Sequence, residues 1–97
     1  MARRAQRRAE RDTYNYTLYG VFHQPVYHGI SNNPERRIRQ HERDGKLFTD
    51  YKVSPARSRT RADQDETRAI HRHQDQNLGM PPSYNRAKVK PRTWGLW

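Results

Sequence analysis

Aromatic and β-branched residues dominate the first part of the chain that has a clear pattern. Residues 14–22 read YNYTLYGVF and residues 26–30 read VYHGI, two short runs typical of β-strands. Between them, Gln24 and Pro25 form a turn signal. The pattern therefore predicts two strands joined as a hairpin.

A helix is predicted over residues 34–43, with the sequence PERRIRQHER. Asn33 is a suitable N-cap, a proline holds the first helical position, and an acidic residue follows in the first turn. Asp44 and Gly45 give a good C-terminal signal. Both ends of this helix are thus marked by local residue types.

A short third strand is predicted over residues 51–53, followed by a second helix. Thr60 is the expected N-cap, with Asp63 completing a weak capping box. The helix should run to about Asn77 and end before Gly79. The order β-β-α-β-α predicts an α+β domain, in which helices flank a small, mostly antiparallel three-stranded sheet.

The net charge of the chain indicates what kind of partner it binds. Twenty Lys and Arg against ten Asp and Glu give a net charge of +10 and a pI near 10.7. This balance indicates a polyanionic partner, nucleic acid or an anionic membrane. No apolar run reaches spanning length and no segment resembles a signal peptide, so we expect a cytoplasmic protein without a membrane partner. Without cysteine, disulfides and thiolate metal sites are excluded.

The apolar content is low, since Leu, Ile, Val and Phe together number 13 of 97 residues. Disorder is the alternative that such a composition raises. Six Tyr, two Trp and the ordered caps favour a folded domain over residues 14–85, with a basic arm at 1–13 and a basic tail at 86–97. The arm is either a solvated terminus or a phosphate-gripping segment. Candidate nucleic-acid contacts are Arg3, Arg4, Arg7, Arg8, Arg11, Arg36, Lys88 and Lys90.

One face of the second predicted helix carries Ala62, Glu66, Ala69, Ile70 and His73. A carboxylate among the few apolar residues of a helix must be paired, protonated or bound to a cation if it is buried. The alternative is a glutamate at the edge of a narrow apolar stripe, facing solvent. The pattern makes Glu66 a candidate metal ligand.

The first helix and the hairpin offer further polar candidates. Arg37 and His41 lie one turn apart beside Ile38, so an anion-binding fork and a proton acceptor can lean toward one point. Tyr16 and Tyr27 lie on opposite arms of the predicted hairpin and can project from the same face of the sheet. Taken singly, Arg37 and His41 are typical of a solvated basic helix. Tyr16 and Tyr27 are typical of aromatic residues in a core.

Together, these residues resemble the motifs of the GIY-YIG endonucleases. That family has a first strand ending in Tyr, ten intervening residues and then Tyr-x-Gly. Here residues 14–16 read YNY, ten residues follow, and residues 27–29 read YHG. The resemblance implies the α+β fold already predicted from the pattern.

The later motifs of the family follow in order. Arg37 stands ten residues after the second tyrosine, His41 lies one turn on, and Glu66 occupies the next helix. Residues 82–85 read PSYN, similar to the segment that often closes the family's domain. The resemblance spans residues 14–85, and its order and spacing are far more specific than any single motif.

The resemblance implies a metal-dependent endonuclease that hydrolyses DNA phosphodiesters, with double-stranded DNA as the expected substrate. Glu66 would hold one Mg²⁺ or Mn²⁺, with water and phosphate at the remaining positions. Arg37 would grip a non-bridging phosphate oxygen. The oligomeric state is left open between a monomer and a dimer assembled on DNA, and so is nicking against double-strand cleavage.

The resemblance also implies roles for the other candidates. Tyr16 would act as general base, helped by the Arg37 cation, by the metal, or by His41 accepting the phenolic proton. Tyr27 would position the water or the phosphate. Asn85 would orient the site or contact the DNA backbone.

The chain departs from the family at three motif positions, because Tyr14, Asn15 and His28 replace a glycine and two apolar residues. Since strand neighbours alternate, we expect Asn15 and His28 to point away from the catalytic face. That opposite face would then be solvated or covered by the basic arm.

Two other functions fit the composition. The first is a module of the same fold that binds nucleic acid without cutting it. The second is a basic RNA-binding or structural protein, in which Glu66 has no special role.

Overall fold

The computed structural model describes residues 10–85 of the chain. Its elements are β1 (Tyr14–Tyr19), β2 (Pro25–Ser31), α1 (Pro34–Arg43), β3 (Asp50–Val53), α2 (Arg59–Gln76) and a 3₁₀ turn (Ser83–Asn85). The strands form one antiparallel sheet in the order β2-β1-β3, which confirms the predicted α+β architecture. The predictions for Arg3, Arg4, Arg7, Arg8, Lys88 and Lys90 lie outside the described residues. Within those residues no helix is long and apolar enough to cross a membrane.

The β1–β2 turn begins earlier than predicted, because β1 ends at Tyr19 and not at residue 22. The Gly20 N–H donates to the Gln24 carbonyl at 2.8 Å, and His23 has a positive φ of 61° that helps to reverse the chain. The Gln24 side chain accepts from the Phe22 N–H at 2.9 Å. Val21 and Phe22 are therefore turn residues, 72% and 86% exposed, despite their strong strand propensity.

Helix α1 begins and ends where its local signals predict. The Asn33 side chain accepts from the Arg36 N–H, and Gly45 follows the helix with a φ of 87°. Ile38 and His41 are the buried residues of this helix. Its inner face thus carries one apolar and one titratable side chain toward the sheet.

Helix α2 has a different N-cap from the one predicted. Ser58 has extended backbone and accepts from the Arg61 N–H, whereas Thr60 already lies within the helix. The residue before the cap, Arg57, exchanges two backbone hydrogen bonds with Thr13, which fixes where the chain turns into the helix. The predicted end is confirmed, with Asn77 as C-cap.

The sheet has two faces of different composition. Tyr16, Leu18 and Tyr27 lie on one face, which we call the tyrosine face, and all three are buried. Helix α1 covers this face, since its Ile38 joins the same buried cluster and its His41 contacts both tyrosine rings. This cluster is the main apolar core.

The opposite face carries Asn15, Thr17 and His28, and we call it the polar face. As predicted, Asn15 and His28 point away from the tyrosines. The expectation that this face is solvated is wrong, because helix α2 packs on it. Covering by residues 1–9 of the basic arm lies outside the described residues. The Asn15 amide donates to the Ala62 carbonyl at 2.9 Å, and Thr17 Oγ1 lies 3.0 Å from His28 Nδ1. The Asn15 amide nitrogen, Thr17 Oγ1 and His28 Nδ1 are thus hydrogen-bonded beneath the helix, whereas Asn15 Oδ1 is buried without a partner among the described residues.

Candidate active site

Three side chains meet on the tyrosine face to form the centre of the site. The Tyr16 hydroxyl lies 2.7 Å from Nε2 of His41. The Tyr27 ring centroid lies 4.7 Å from His41 and 5.9 Å from Tyr16. Tyr16 is 2% exposed and His41 is also 2% exposed, so their hydrogen bond is removed from bulk water. The two tyrosines share a face as the sequence predicts.

Gly29 provides the space in which the two tyrosine rings meet. It pairs with Tyr16 across β1 and β2. A Cβ at Gly29 would lie 2.6 Å from Tyr16 Cζ and Oη, and 2.6 Å from Tyr27 Cε2. The glycine of the second motif is therefore required by the packing of both rings, at a position where its φ is ordinary.

Arg37 lies within electrostatic reach of the Tyr16 hydroxyl. Burial raises the pKa of Tyr16 well above its ordinary value, and the neighbouring Tyr27 raises it further. The charge of Arg37 and a hydrogen bond from it act in the opposite direction, but they do not overcome burial. At neutral pH the resting site therefore holds a protonated Tyr16.

Glu66 lies on the other side of the sheet from the tyrosine cluster. Its helix α2 lies on the polar face, and the helix face that includes Ala62 and Ile70 is buried against the sheet, as the sequence pattern indicates. Glu66 is half-buried and lines a cavity of about 90 Å³ together with Tyr16 and Gly29. The structure thus brings Tyr16, Tyr27 and His41 into one cluster on the tyrosine face, whereas Glu66 lies across the sheet, in a cavity that also includes Thr17 and His28 of the polar face.

Carboxylates beside the small cavity are the candidate metal ligands among the described residues. Between residues 10 and 85, no group of three or more His, Asp or Glu side chains could hold a metal ion. The carboxylates of Glu66 and Asp65 both line the small cavity. Asp65 forms ion pairs with arginines. A hard ion such as Mg²⁺ is commonly held by one or two carboxylates, with waters and substrate phosphate completing its shell. Glu66 fits that mode of binding.

Asn85 contacts the site through the backbone of β2. Its Oδ1 accepts from the His28 N–H at 2.8 Å, and its Nδ2 donates to the His28 carbonyl at 3.0 Å. Asn85 is 3% exposed, so its side chain is not placed to contact the DNA backbone. Of the two predicted roles, the geometry favours orientation of the strand that carries Tyr27 and Gly29.

An arginine cluster anchors helix α2 and was not predicted. Asp65 pairs with Arg57, with Arg61 at 3.1 Å and with Arg68 at 3.3 Å. Burial acts to raise the pKa of Asp65, but the hydrogen bonds and charges of Arg61 and Arg57 hold it below its ordinary value. The helical spacing of Arg61, Asp65 and Arg68 was a readable signal, whereas Arg57 comes from outside the helix.

A second unpredicted residue, Lys46, borders the tyrosine cluster. Its Nζ lies 5.9 Å from the ring centroid of Tyr27 and 5.9 Å from that of Tyr84. This geometry is that of a cation–π contact. No sequence motif marks Lys46, since its position depends on how the segment after α1 folds back over β2.

The two described members of the predicted nucleic-acid set are both exposed. Arg36 lines a hollow of about 160 Å³ together with Arg37. Arg11 lines another, of about 330 Å³, together with Arg57 and Arg61. Cationic groups therefore lie at the edge of the tyrosine cluster and beside the start of α2.

Comparison with known proteins adds no relative to this description. No family model matches the chain, and neither the curated proteins nor the solved structures include a match to it. The resemblance to the GIY-YIG endonucleases consequently depends on the motifs, their order and their spacing.

Proposed function

We propose that the protein is a metal-dependent endonuclease that hydrolyses phosphodiester bonds in DNA. The observation that carries this proposal is the buried 2.7 Å contact between the Tyr16 hydroxyl and Nε2 of His41. Tyr27 packs against both rings, and Arg37 lies close enough to act on the same hydroxyl. A phenol, an imidazole and a guanidinium in this arrangement suit proton transfer beside a bound anion.

The raised pKa of Tyr16 argues against a resting phenolate as the base. A relay meets this difficulty. As water attacks the phosphorus, its proton passes to Tyr16 Oη while the phenolic proton passes to Nε2 of His41. The imidazole becomes imidazolium, and no step requires a free phenolate in a buried site.

The remaining roles in the proposed chemistry fall to Arg37 and Glu66, which lie on opposite sides of the sheet in this structure. Arg37 would hold a non-bridging phosphate oxygen, for which its planar fork is well suited. A Mg²⁺ or Mn²⁺ bound at Glu66 would supply stabilisation of the charge that develops on the phosphate and the leaving oxygen. The metal role of Glu66 is supported by the motif resemblance alone, because its cavity lies on the polar face and not at the Tyr16 hydroxyl.

Charge supports DNA as the substrate. The net charge is +10, and the exposed Arg11 and Arg36 give the described domain cations for contact with phosphates. We propose double-stranded DNA, bound by a monomer or by a dimer that assembles on it. A cytoplasmic location stays a prediction, supported by the cysteine-free composition.

The deciding experiment is cleavage of supercoiled and linear DNA with Mg²⁺ and with EDTA, by wild type and by Glu66→Gln. We expect Mg²⁺-dependent cleavage by wild type and none by the variant. The variant should bind DNA as well as wild type or better, because a negative charge near the phosphate is removed. Glu35→Gln, an exposed carboxylate of α1, is the matched control and should cut normally. Substantial Mg²⁺-dependent cleavage by Glu66→Gln would remove the metal role.

A second candidate function is a nucleic-acid-binding module that does not cut. It is favoured by one observation, the placement of Glu66 on the helix that covers the polar face while the tyrosines occupy the other face. This candidate expects tight, salt-sensitive DNA binding by wild type with no cleavage in any divalent metal. The same pair of assays therefore separates it from the nuclease.

A further inference from the structure

A groove of about 570 Å³ lies beside the tyrosine cluster. Its walls come from the β1–β2 turn, the segment between α1 and β3, and the 3₁₀ turn. The apolar and aromatic residues that line it include Val21, Val26, Leu47, Phe48 and Tyr84. A volume of this order lies within the range of small-ligand sites.

The lining combines a packed floor with an exposed apolar rim. Phe48 and Tyr84 pack against the buried core, and the Tyr84 hydroxyl accepts from the Leu47 N–H at 2.8 Å. Val21 is 72% exposed and Leu47 is 79% exposed. Large apolar side chains held at a rim by a rigid floor indicate a surface that binds something.

One cation of the groove faces the candidate active site. Lys46 lines the groove, and its Nζ lies 5.9 Å from the ring centroids of both Tyr84 and Tyr27. The Tyr27 ring in turn lies 4.7 Å from His41. A single ring thus separates the groove from the proposed proton relay. The one acidic side chain among the described groove residues, Glu42, is exposed on the last turn of α1.

These features match an unstacked nucleotide more closely than a base pair. An aromatic floor offers a stacking surface to a nucleobase, and a lysine beside it offers a contact to the attached phosphate. A base inside a duplex has both faces covered by its neighbours, so only a single-stranded or extruded base can present a face to the groove.

We propose that this groove binds one unstacked nucleobase of the strand whose neighbouring phosphate enters the catalytic cluster, with Lys46 on the phosphate between them. The inference rests on the proposed function for the position of the scissile phosphate. It adds the substrate class, namely DNA with unpaired nucleotides next to the cleavage point. It makes Lys46 and Leu47 determinants of that preference.

The test measures binding without metal, so that it is independent of cleavage. Fluorescence anisotropy in EDTA compares a labelled single-stranded 12-mer with the duplex of the same sequence. A loss of about 1 kcal/mol, the lower end for one base–aromatic stack, corresponds to about fivefold in affinity. We expect Leu47→Ser and Lys46→Met each to weaken single-strand binding by about fivefold or more. Their affinity for the duplex should change less than about twofold, and Lys46→Arg should retain most single-strand affinity.

Two matched controls are available in the chain. Leu78→Ser removes another exposed leucine, 91% exposed and outside the groove. Lys52→Met removes another lysine placed 5.9 Å from a tyrosine ring, that of Tyr19, and neither residue lines the groove. Both should bind the two oligonucleotides as wild type does.

Three results would overturn the inference. Equal loss of single-strand and duplex affinity in the groove variants would make them general phosphate contacts. Unchanged single-strand affinity in the groove variants would show that the groove does not bind a nucleotide. A change from dimer to monomer in Leu47→Ser, measured by sedimentation, would identify the groove as an interface between two copies of this chain. Absence of cleavage would defeat the proposed nuclease activity alone, because the binding results are obtained in EDTA.

Discussion

The side chains on the two faces of the sheet are buried against their helices by different kinds of contact. On the tyrosine face, Tyr16, Leu18 and Tyr27 pack as large side chains against α1, and the central Tyr16 hydroxyl is hydrogen-bonded to His41. On the polar face, Asn15 and His28 lie beneath α2, and each side chain makes one short polar contact. The first face is fixed by shape and the second by hydrogen bonding.

This difference shows how a chain with few aliphatic residues can form a stable domain. The scarce apolar area is concentrated on one face, where the hydrogen-bonded Tyr16 and His41 also lie. The other helix is held by polar groups, including the arginines around Asp65. We therefore expect the tyrosine face to be sensitive to changes of volume, and the polar face to be sensitive to pH.

The largest expected effect tests shape on the tyrosine face. Gly29→Ala places a Cβ 2.6 Å from atoms of two buried rings, so at least one ring must shift. Overpacking of this kind costs about 1–3 kcal/mol or more, and we expect the upper end of that range. At Gly20→Ala the Cβ meets only the side chain of the exposed Gln24, so the loss should be about 1 kcal/mol or less. Urea unfolding of the two variants makes the comparison, and equal losses would contradict it.

The next effect concerns pH on the polar face. Burial, followed by the charges of His73 and Arg72, lowers the pKa of His28 from 6.5 to about 4. The unfolded chain therefore binds a proton that the folded chain does not, between about pH 6.5 and pH 4. Stability contributed by neutral His28 is complete above pH 6.5 and should fall by about 3 kcal/mol as the pH drops to 4.

The measurement is urea unfolding of wild type and His28→Gln at a series of pH values. The glutamine variant should lose much less stability over this window than wild type does, whatever its stability at pH 8. Parallel pH profiles for the two proteins would show that His28 does not resist protonation in the folded state.

The smallest expected effect on stability comes from a pair of hydroxyl removals, one on each face, which should differ in their effect on cleavage. Tyr16→Phe and Thr17→Val are neighbouring changes that each remove one hydroxyl bonded to a histidine, at 2.7 Å and 3.0 Å respectively. Each should cost about 0.5–1.5 kcal/mol of unfolding free energy. Under the proposed function, only Tyr16→Phe should also slow cleavage, by about 10²–10⁴-fold, because the relay loses its central oxygen. Cleavage by Tyr16→Phe at the rate of Thr17→Val would exclude Tyr16 from proton transfer.

Local signals in the sequence predicted some elements accurately and failed at others. The ends of α1 were predicted from Asn33 and Gly45, because capping residues act on backbone groups within a few residues of themselves. The prediction that Val21 and Phe22 belong to the first strand was wrong. Their strand propensity is overridden by a turn in which Gln24 accepts the hydrogen bonds. Thr60 failed as a cap since the start of α2 is set by a distant pairing with Thr13.

The candidate site shows the same division. Alternation along the strands was enough to place Tyr16 and Tyr27 together, and helical spacing was enough to add His41. The helix that covers the polar face could not be predicted, because the choice of face depends on how the chain crosses the sheet after β3. Lys46 was missed for a related reason, since a single lysine in a loop has no periodicity from which its neighbours can be inferred.

The contact between Asn85 and His28 has a consequence for how the protein folds. Strand β2 lies at one side of the sheet, and the amide of Asn85 occupies the N–H and carbonyl of His28 that β1 does not use. These partners are 57 positions apart, so during synthesis the hairpin emerges long before the residue that covers its outer side. Until then β2 presents unpaired backbone groups on a hydrophobic hairpin, a template for pairing with another chain. A truncation that removes Asn85 should therefore show its damage first as aggregation during expression.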